Sequence, residues 1–185
     1  MFHPYQYAGP VRLPPPTMQL RARRETDTRD SANARQFESW TSGVPVVQGG
    51  IIDDLMFVNR GDDLLLIVNG ACKVNDIAHI QAHIGQRCQV IPLPDQALLA
   101  LQGPQAETAL ARLLPGVSKL VFMTGAAFSW QGHALYITRS GYTGEDGYEI
   151  SVPAIAAPAL AQALLAEPEV QAIGLGDRKS TRLNS

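Results

Sequence analysis

Asp53 and Asp54 stand side by side in the block Gly49-Gly50-Ile51-Ile52-Asp53-Asp54-Leu55-Met56, the first place where this sequence could do chemistry. Adjacent residues in a strand point to opposite faces, so one aspartate can face a cavity while the other stays wet. A lone Asp-Asp pair is by itself the chemistry of a solvated turn. The apolar flanks on both sides weaken that reading, because they bury the strand around the pair. A second block, Gly141-Tyr142-Thr143-Gly144-Glu145-Asp146-Gly147-Tyr148-Glu149, has glycines three apart, as phosphate-binding loops do. It carries three carboxylates and no lysine, so a phosphate cradle is excluded. On local chemistry it is a hairpin loop with Glu149 on a strand. A carboxylate held there can accept paired donors from a heterocycle. The ring N–H beside an exocyclic amine, the edge a pterin offers, matches it bidentately.

Outside these two blocks the chemistry thins. Ala97-Leu98-Leu99-Ala100-Leu101-Gln102-Gly103-Pro104 reads as a buried strand ending in a turn that starts a helix, and no chemistry is assigned to it. Ile173-Gly174-Leu175-Gly176-Asp177-Arg178 reads as a strand end delivering one arginine. A lone arginine is ordinarily on the surface, but one that follows an apolar strand can be presented to an anionic ligand. His79 and His83 lie four apart with Asp76 one turn before His79, a spacing compatible with zinc. At about 100° per residue both histidines fall off the Ile77/Ile80/Ile84 stripe, and no further ligand motif accompanies them, so no metal is expected. Cys72 has no partner base that the sequence can locate, and is not expected to act as a nucleophile.

The elements that must position these groups follow from periodicity and turn residues. Residues 51–58 and 64–68 read as strands joined by a turn at Arg60-Gly61-Asp62. Asn75 is placed to cap a helix running to about Ile84. Residues 88–92 and 97–101 are short apolar strands. Pro104 sits where a helix would begin, with Ala106, Ala109, Leu110 and Leu113 as its apolar stripe. Residues 134–138 and 148–152 are strands around the glycine-rich loop, and 155–165 is a third helix, with Pro158 tolerable in its first turn. Residues 173–175 could open another strand. Strands and helices alternate irregularly, so the expected class is α+β, mostly antiparallel sheets with flanking helices.

Composition and charge narrow the classes further. Hydrophobic residues make up 45% and charged residues 17%, a globular balance rather than a disordered one. The two cysteines, Cys72 and Cys88, give neither a metal spacing nor a disulfide framework, which fits a reducing compartment. No apolar run approaches the ~20 residues that span a bilayer, so no membrane is expected. Residues 1–47 carry six arginines against four acids, whereas 48–185 carry nine basic and thirteen acidic side chains. An acidic main segment repels a phosphate backbone, so no nucleic acid is expected as a partner. Residues 1–47 hold the cluster Pro14-Pro15-Pro16 and no sustained period. The first 24 residues contain arginines and no acid, as a transit peptide would, but Pro10 and the triple proline disfavour the amphipathic helix such peptides use. The expectation for 1–47 is a poorly structured or non-native stretch.

In this order and spacing the blocks resemble the aminomethyltransferase (T-protein) of the glycine cleavage system. The resemblance is carried by the Gly49–Met56 block and by Val68-Asn69-Gly70-Ala71-Cys72-Lys73-Val74-Asn75-Asp76-Ile77. Ala100-Leu101-Gln102-Gly103-Pro104 follows, then the stretch from Thr138 to Pro153 around Gly-Tyr-Thr-Gly-Glu-Asp-Gly, and Glu167-Pro168-Glu169-Val170. It covers residues 48–178, and its most specific part is the glycine-rich loop. It implies lobes around a folate channel. It also implies a reaction, in which the aminomethyl carbon on the lipoyl group of H-protein passes to tetrahydrofolate as a methylene and ammonia leaves. Residue by residue, Asp54 matches the family's essential carboxylate beside the folate nitrogens. Asn69 and Glu149 match pterin contacts, Ile67 and Tyr142 line the site, and Arg178 matches an arginine on the folate. The implied partner is the lipoylated H-protein, and the implied location is the cytoplasm of a bacterium or the mitochondrial matrix of a eukaryote.

The sequence also departs from the family. Residues 1–47 do not resemble its N-terminal section, and Lys179-Ser180-Thr181-Arg182-Leu183-Asn184-Ser185 reads as an unmatched tail, 179–185. The family's C-terminal lobe is absent from this sequence, so this chain is expected to be an inactive fragment that binds folate weakly. Two related classes remain alongside: folate-binding factors that assist iron–sulfur enzyme maturation, and the folate domains of sarcosine and dimethylglycine dehydrogenases. A cysteine-containing signature of the first is not found here.

Overall fold

The structure, a computed structural model, describes residues 19–24, 39–45, 51–141 and 143–173. Among them the chain runs through β1 (Gln19–Arg24), β2 (Ser39–Pro45), β3 (Ile51–Asn59), β4 (Asp63–Ile67), α1 (Lys73–Ile84), β5 (Cys88–Leu93) and β6 (Gln96–Gln102). It continues through α2 (Ala106–Leu113), a 3-10 turn at Val117–Lys119, β7 (Gly125–Trp130), β8 (His133–Thr138), β9 (Gly147–Pro153) and α3 (Ala157–Leu165). The strands form two sheets, ordered β2-β3-β4-β1-β5 and β6-β9-β8-β7, with every described pairing antiparallel. The α+β reading with antiparallel sheet therefore holds. No helix of the described residues is long and apolar enough to cross a membrane.

Strand alternation divides each sheet into two faces. Met56 pairs with Ile67 and Val58 with Leu65, so these four buried side chains share one face of the first sheet. The residues between them point the other way: Leu55 packs with Val68 and Ile80, and Phe57, Leu66, Ile77, Ile84 and Val90 gather round. Helix α1 thus covers the Leu55 face. In the second sheet, Tyr148, Ile150 and Val152 of β9 join Leu135 and Ile137 of β8 against α2 and α3, where Ala109, Leu110 and Leu160 are wholly buried. Each such large side chain stabilises the fold by about 1.5–3 kcal/mol. The reverse face of β9 carries Glu149 and Ser151, both buried, with Thr138 in register opposite Glu149. Between the sheets, the Arg60 guanidinium lies 5.3 Å from the Tyr136 ring centroid.

Several element boundaries differ from the sequence reading. Helix α1 starts at Lys73 with Cys72 in the cap position, so Asn75 lies inside the first turn and caps nothing. The turn Cys72 N–H to Asn69 O, 3.0 Å, leads straight into the helix. Helix α2 starts at Ala106, because Gly103 at φ 130° opens a turn that closes with Ala106 N–H on Gly103 O. Pro104 therefore belongs to the turn. Strand β7 has no strand signal in the sequence, since Gly125, Ala126, Ala127 and Ser129 dilute its alternation. Its partner is supplied by a tight hairpin in which Gln131 and Gly132 both have positive φ, 48° and 82°. Ile173 is not in a strand, and residues 174–175 lie outside the described residues. Two segments of 1–47 lie among the described strands. Gln19–Arg24 pairs with both β4 and β5, and Ser39–Pro45 pairs with β3. Pairing there is imposed by neighbouring strands, which the segments' own periodicity does not reveal. The rest of 1–47 lies outside the described residues.

Candidate functional site

The site is built where a ladder runs out. Strand β4 ends at Ile67, opposite Met56, so Asp53 and Asp54 of β3 extend past it with no β4 residue to bond. The Asn69 side chain takes that place. Its Nδ2 donates to Asp54 O at 2.9 Å, to Asp53 Oδ1 at 2.9 Å and to Asp54 Oδ1 at 3.3 Å. The amide thus satisfies a strand carbonyl that the ladder leaves open, and gathers both aspartates on one donor. Asp53 Oδ1 also accepts from the Asp54 N–H at 3.0 Å. The Asp54 side chain is exposed and Asp53 is half-buried. Ile67, on the Met56 face that position 54 shares by alternation, is buried beneath.

Asp53 turns toward α1, and there it meets Asp76. Asp76 is 0% exposed although it is a carboxylate, and neither of its oxygens has a donor; nor has the buried Asp53 Oδ2. Burial and then the Asp53 charge push the Asp76 carboxyl up to about 6. Burial also raises Asp53, but the hydrogen bonds from Asn69 and the Asp54 N–H, with the neighbouring Asp76 and Cys72, together outweigh it and hold that carboxyl below its usual range. The Cys72 thiol is pushed up, first by burial and then by Asp53. A raised thiol next to carboxylates is a poor nucleophile. The sequence does not reveal the burial of Asp76 against Asp53, and gives it only the spacing of a third zinc ligand with His79 and His83. Those two rings stack on each other with centroids 4.0 Å apart, and His83 Nδ1 is tied to His79 O at 2.8 Å.

Glu149 sits on the second sheet, on the face away from α2 and α3. It is 7% exposed and accepts from Ser140 Oγ at 3.0 Å, and Ser140 Oγ in turn lies 2.7 Å from Thr138 Oγ1. Two hydroxyls in series therefore orient one carboxylate oxygen. The structure brings Asp54, Asn69 and Ile67 together on the first sheet and holds Glu149 on the second. Tyr142 and Arg178 lie outside the described residues.

The glycine-rich loop is fastened by Gln102, whose place in an apolar strand gives no sign of that role. Gln102, the last residue of β6, donates from Nε2 to Ser140 O at 3.0 Å and to Tyr148 O at 3.3 Å, and its Oε1 accepts from Thr143 Oγ1 at 3.2 Å. The clamp leaves no room for side chains: a Cβ on Gly141 would lie 1.9 Å from Gln102 Oε1, and one on Gly147 2.5 Å from Gln102 Cδ. Those two glycines exist for packing, not for phosphate. Gly147→Ala is expected to destabilise the fold by about 1–3 kcal/mol through overpacking. In the Gln102→Ala background the same change should be nearly neutral, a coupling that denaturant unfolding of the four variants measures. Additive losses would show that the clamp is not the obstacle. Arg139 closes the loop from the other side, with Nε on Asp146 Oδ1 at 2.9 Å, Nη2 on Glu107 Oε2 at 2.7 Å and Nη1 on Leu120 O at 2.9 Å. A shallow groove of about 680 Å³ lies over Arg139, but none of Asp54, Ile67, Asn69 or Glu149 lines it, and the arginine's donors are already committed.

Residues 43–185 match the family model described as the GCVT N-terminal domain. The chain is 40% identical over 154 residues to a mitochondrial aminomethyltransferase of Dictyostelium discoideum, covering 75% of this chain and 38% of that one. It is 43% identical over 145 residues to the mitochondrial aminomethyltransferase of Homo sapiens, covering 74% and 36%. The crystal structure of the glycine cleavage system aminomethyltransferase T from Bartonella henselae superposes with a TM-score of 0.77 at 37% identity, covering 91% of this chain and 49% of that one. A heterotetrameric sarcosine oxidase from Corynebacterium sp. U-96 superposes at 0.56 with 16% identity, a likeness of fold alone. The chain spans 36–38% of the length of these curated relatives.

Proposed function

The chain belongs to the GCVT N-terminal domain family, and on that premise we propose that it is the folate-binding part of an aminomethyltransferase of the glycine cleavage system. The substrates are tetrahydrofolate and the aminomethyl-lipoyl group carried by H-protein. The carbon leaves sulfur and nitrogen and bonds to N5 and N10. The two folate N–H protons go to the departing thiolate and amine, giving a free lipoyl thiol and ammonia, so the step balances without an oxidant. Asp54 is the carboxylate beside those nitrogens, placed to position folate and to manage its proton. Asn69 and Glu149 receive the pterin's donor edge, Ile67 and Tyr142 line the site, and Arg178 meets the folate. The Dictyostelium discoideum and Homo sapiens relatives are mitochondrial, and the same chemistry in a bacterium would run in the cytoplasm. The sarcosine oxidase likeness adds only fold to the alternative reading.

The observation that carries this proposal is the exposed Asp54 carboxylate held beside the Asn69 amide, while its neighbour Asp53 is turned inward and occupied. A test of the pterin role uses Glu149→Gln, which keeps the shape and the Ser140 contact but removes the charge. In a chain extended to the length of the relatives, calorimetry with 5-formyltetrahydrofolate should show affinity lower by about 10–100-fold, the worth of a charge-assisted pair. Unchanged affinity would remove Glu149 from the site.

A further inference from the structure

Asp76 and Asp53 face each other in a place where neither can be fully ionised at small cost. Asp76 is wholly buried with both oxygens lacking a donor, and Asp53 Oδ2 is buried in the same condition. Two carboxylates so placed would lose hydration and repel. The groups beside the pair are the Asn69 amide, the Asp54 N–H of β3 and the Cys72 thiol at the start of α1, and none is a cation. Strand β5, packed on the same helix, contributes Val90 and has no charged residue. Among the side chains described from residue 52 on, no arginine or lysine forms an ion pair with either carboxyl. One proton resolves the conflict, because a carboxylic acid donates where a carboxylate only accepts.

We propose that Asp76 and Asp53 hold one proton between them, with Asp76 donating to Asp53 Oδ2, and that this acid pair is a positioning device that presents the Asn69 amide oxygen to the ligand. The inference rests on the folate reading of the site. Asp53 is bonded on both oxygens in this arrangement: Oδ2 by Asp76, Oδ1 by Asn69 Nδ2 and the Asp54 N–H. Three oxygens then surround Asn69 Nδ2, and a flipped amide would set oxygen against oxygen at each of them. The Asn69 oxygen, which takes no side-chain or backbone donor among the described residues, is left as an acceptor. A ligand edge made of ring N–H and amine donors fits it, and an edge of acceptors is rejected. Burial and the Asp53 charge raise the Asp76 carboxyl to about 6, so the pair is intact below that pH and ionises as pH rises through it. Ligand affinity therefore falls from pH 5.5 to pH 8.

The test reads NMR on the 185-residue chain and folate calorimetry on a chain extended to the length of the relatives. Carboxyl-carbon NMR should show Asp76 titrating near 6, and Asp76→Ala should move the Asn69 side-chain amide resonances. Titration of Asp76 near the ordinary ~3.9, or amide resonances indifferent to Asp76→Ala, overturns the proton pair. Calorimetry with 5-formyltetrahydrofolate supplies the second readout. Wild-type affinity should fall about tenfold between pH 5.5 and 8, the loss of about one hydrogen bond. Asp76→Asn, a permanent donor to Asp53, should bind as wild type does at pH 5.5 and stay flat with pH. Asp76→Ala should bind about tenfold more weakly throughout. A pH slope that survives in Asp76→Asn overturns the positioning role. Absence of any wild-type folate binding refutes the folate reading instead, and the NMR titration then decides the proton pair by itself.

Discussion

Asp54→Asn, in a chain completed with the family's remaining lobe, is expected to lower ammonia release from aminomethylated H-protein and tetrahydrofolate by about 10²–10⁴-fold, the usual worth of a positioned acid–base group. Asp53→Asn should lose only about tenfold, through weaker holding of Asn69. The asymmetry comes from burial and bonding rather than residue type. Asp54 is exposed with a single long contact on its side chain, the 3.3 Å approach of Asn69 Nδ2. Asp53 is engaged on Oδ1 by two donors and turned toward Asp76. A group so engaged cannot also meet a substrate nitrogen. Because asparagine keeps the shape of aspartate, the comparison isolates charge and proton capacity from packing. Equal losses at the two positions, or the larger loss at Asp53, would reverse the assignment.

Arg139→Met should destabilise the protein by about 2–3 kcal/mol, read as a fall of roughly 5–10 °C in Tm. The guanidinium is 18% exposed and holds three partners at once: Asp146, Glu107 and the Leu120 carbonyl. It also lies 5.4 Å from the Tyr148 ring centroid. Losing it strands the carbonyl and two carboxylates, though Glu107 and Asp146 are 39% and 34% exposed and recover part of their hydration. That recovery sets the figure below the 3–5 kcal/mol of a wholly buried pair. Acid titration adds a second check. Hydrogen bonds from Arg139 hold the Asp146 carboxyl below its ordinary range, so the folded protein binds fewer protons than the unfolded chain in that interval. Stability from this pair is complete above the ordinary carboxyl value of ~3.9 and drains away as pH falls through the lowered one. In Arg139→Met that acid-side component should vanish. A Tm unchanged within a degree would mean that the loop is held without Arg139.

Much of the fold was legible because its signals are local. The alternation around Asp53-Asp54 and the Arg60-Gly61-Asp62 turn located the β3–β4 hairpin, and the apolar stripe Ile77, Ile80, Ile84 located α1 on the sheet. The glycine-rich loop and the strand carrying Glu149 were placed by the same kind of pattern. Segments lacking a period of their own, such as β7 and the two strands within 1–47, acquire their structure from strands that pair with them, and no local pattern announces that.

Within the site, the residue types and their order along the chain were set by the sequence, down to Asp54, Asn69 and Glu149 as the groups of interest. Which aspartate is sequestered was decided by tertiary structure, when α1 docked and brought a buried Asp76 against Asp53. The same holds for Gln102, which reaches Ser140 across 38 residues, and for Asn69, which reaches Asp53 across 16. Periodicity reports only which face a side chain takes on its own element. Whether that face meets a carboxylate, a carbonyl or water depends on what packs against it, and that alone fixes where a proton resides.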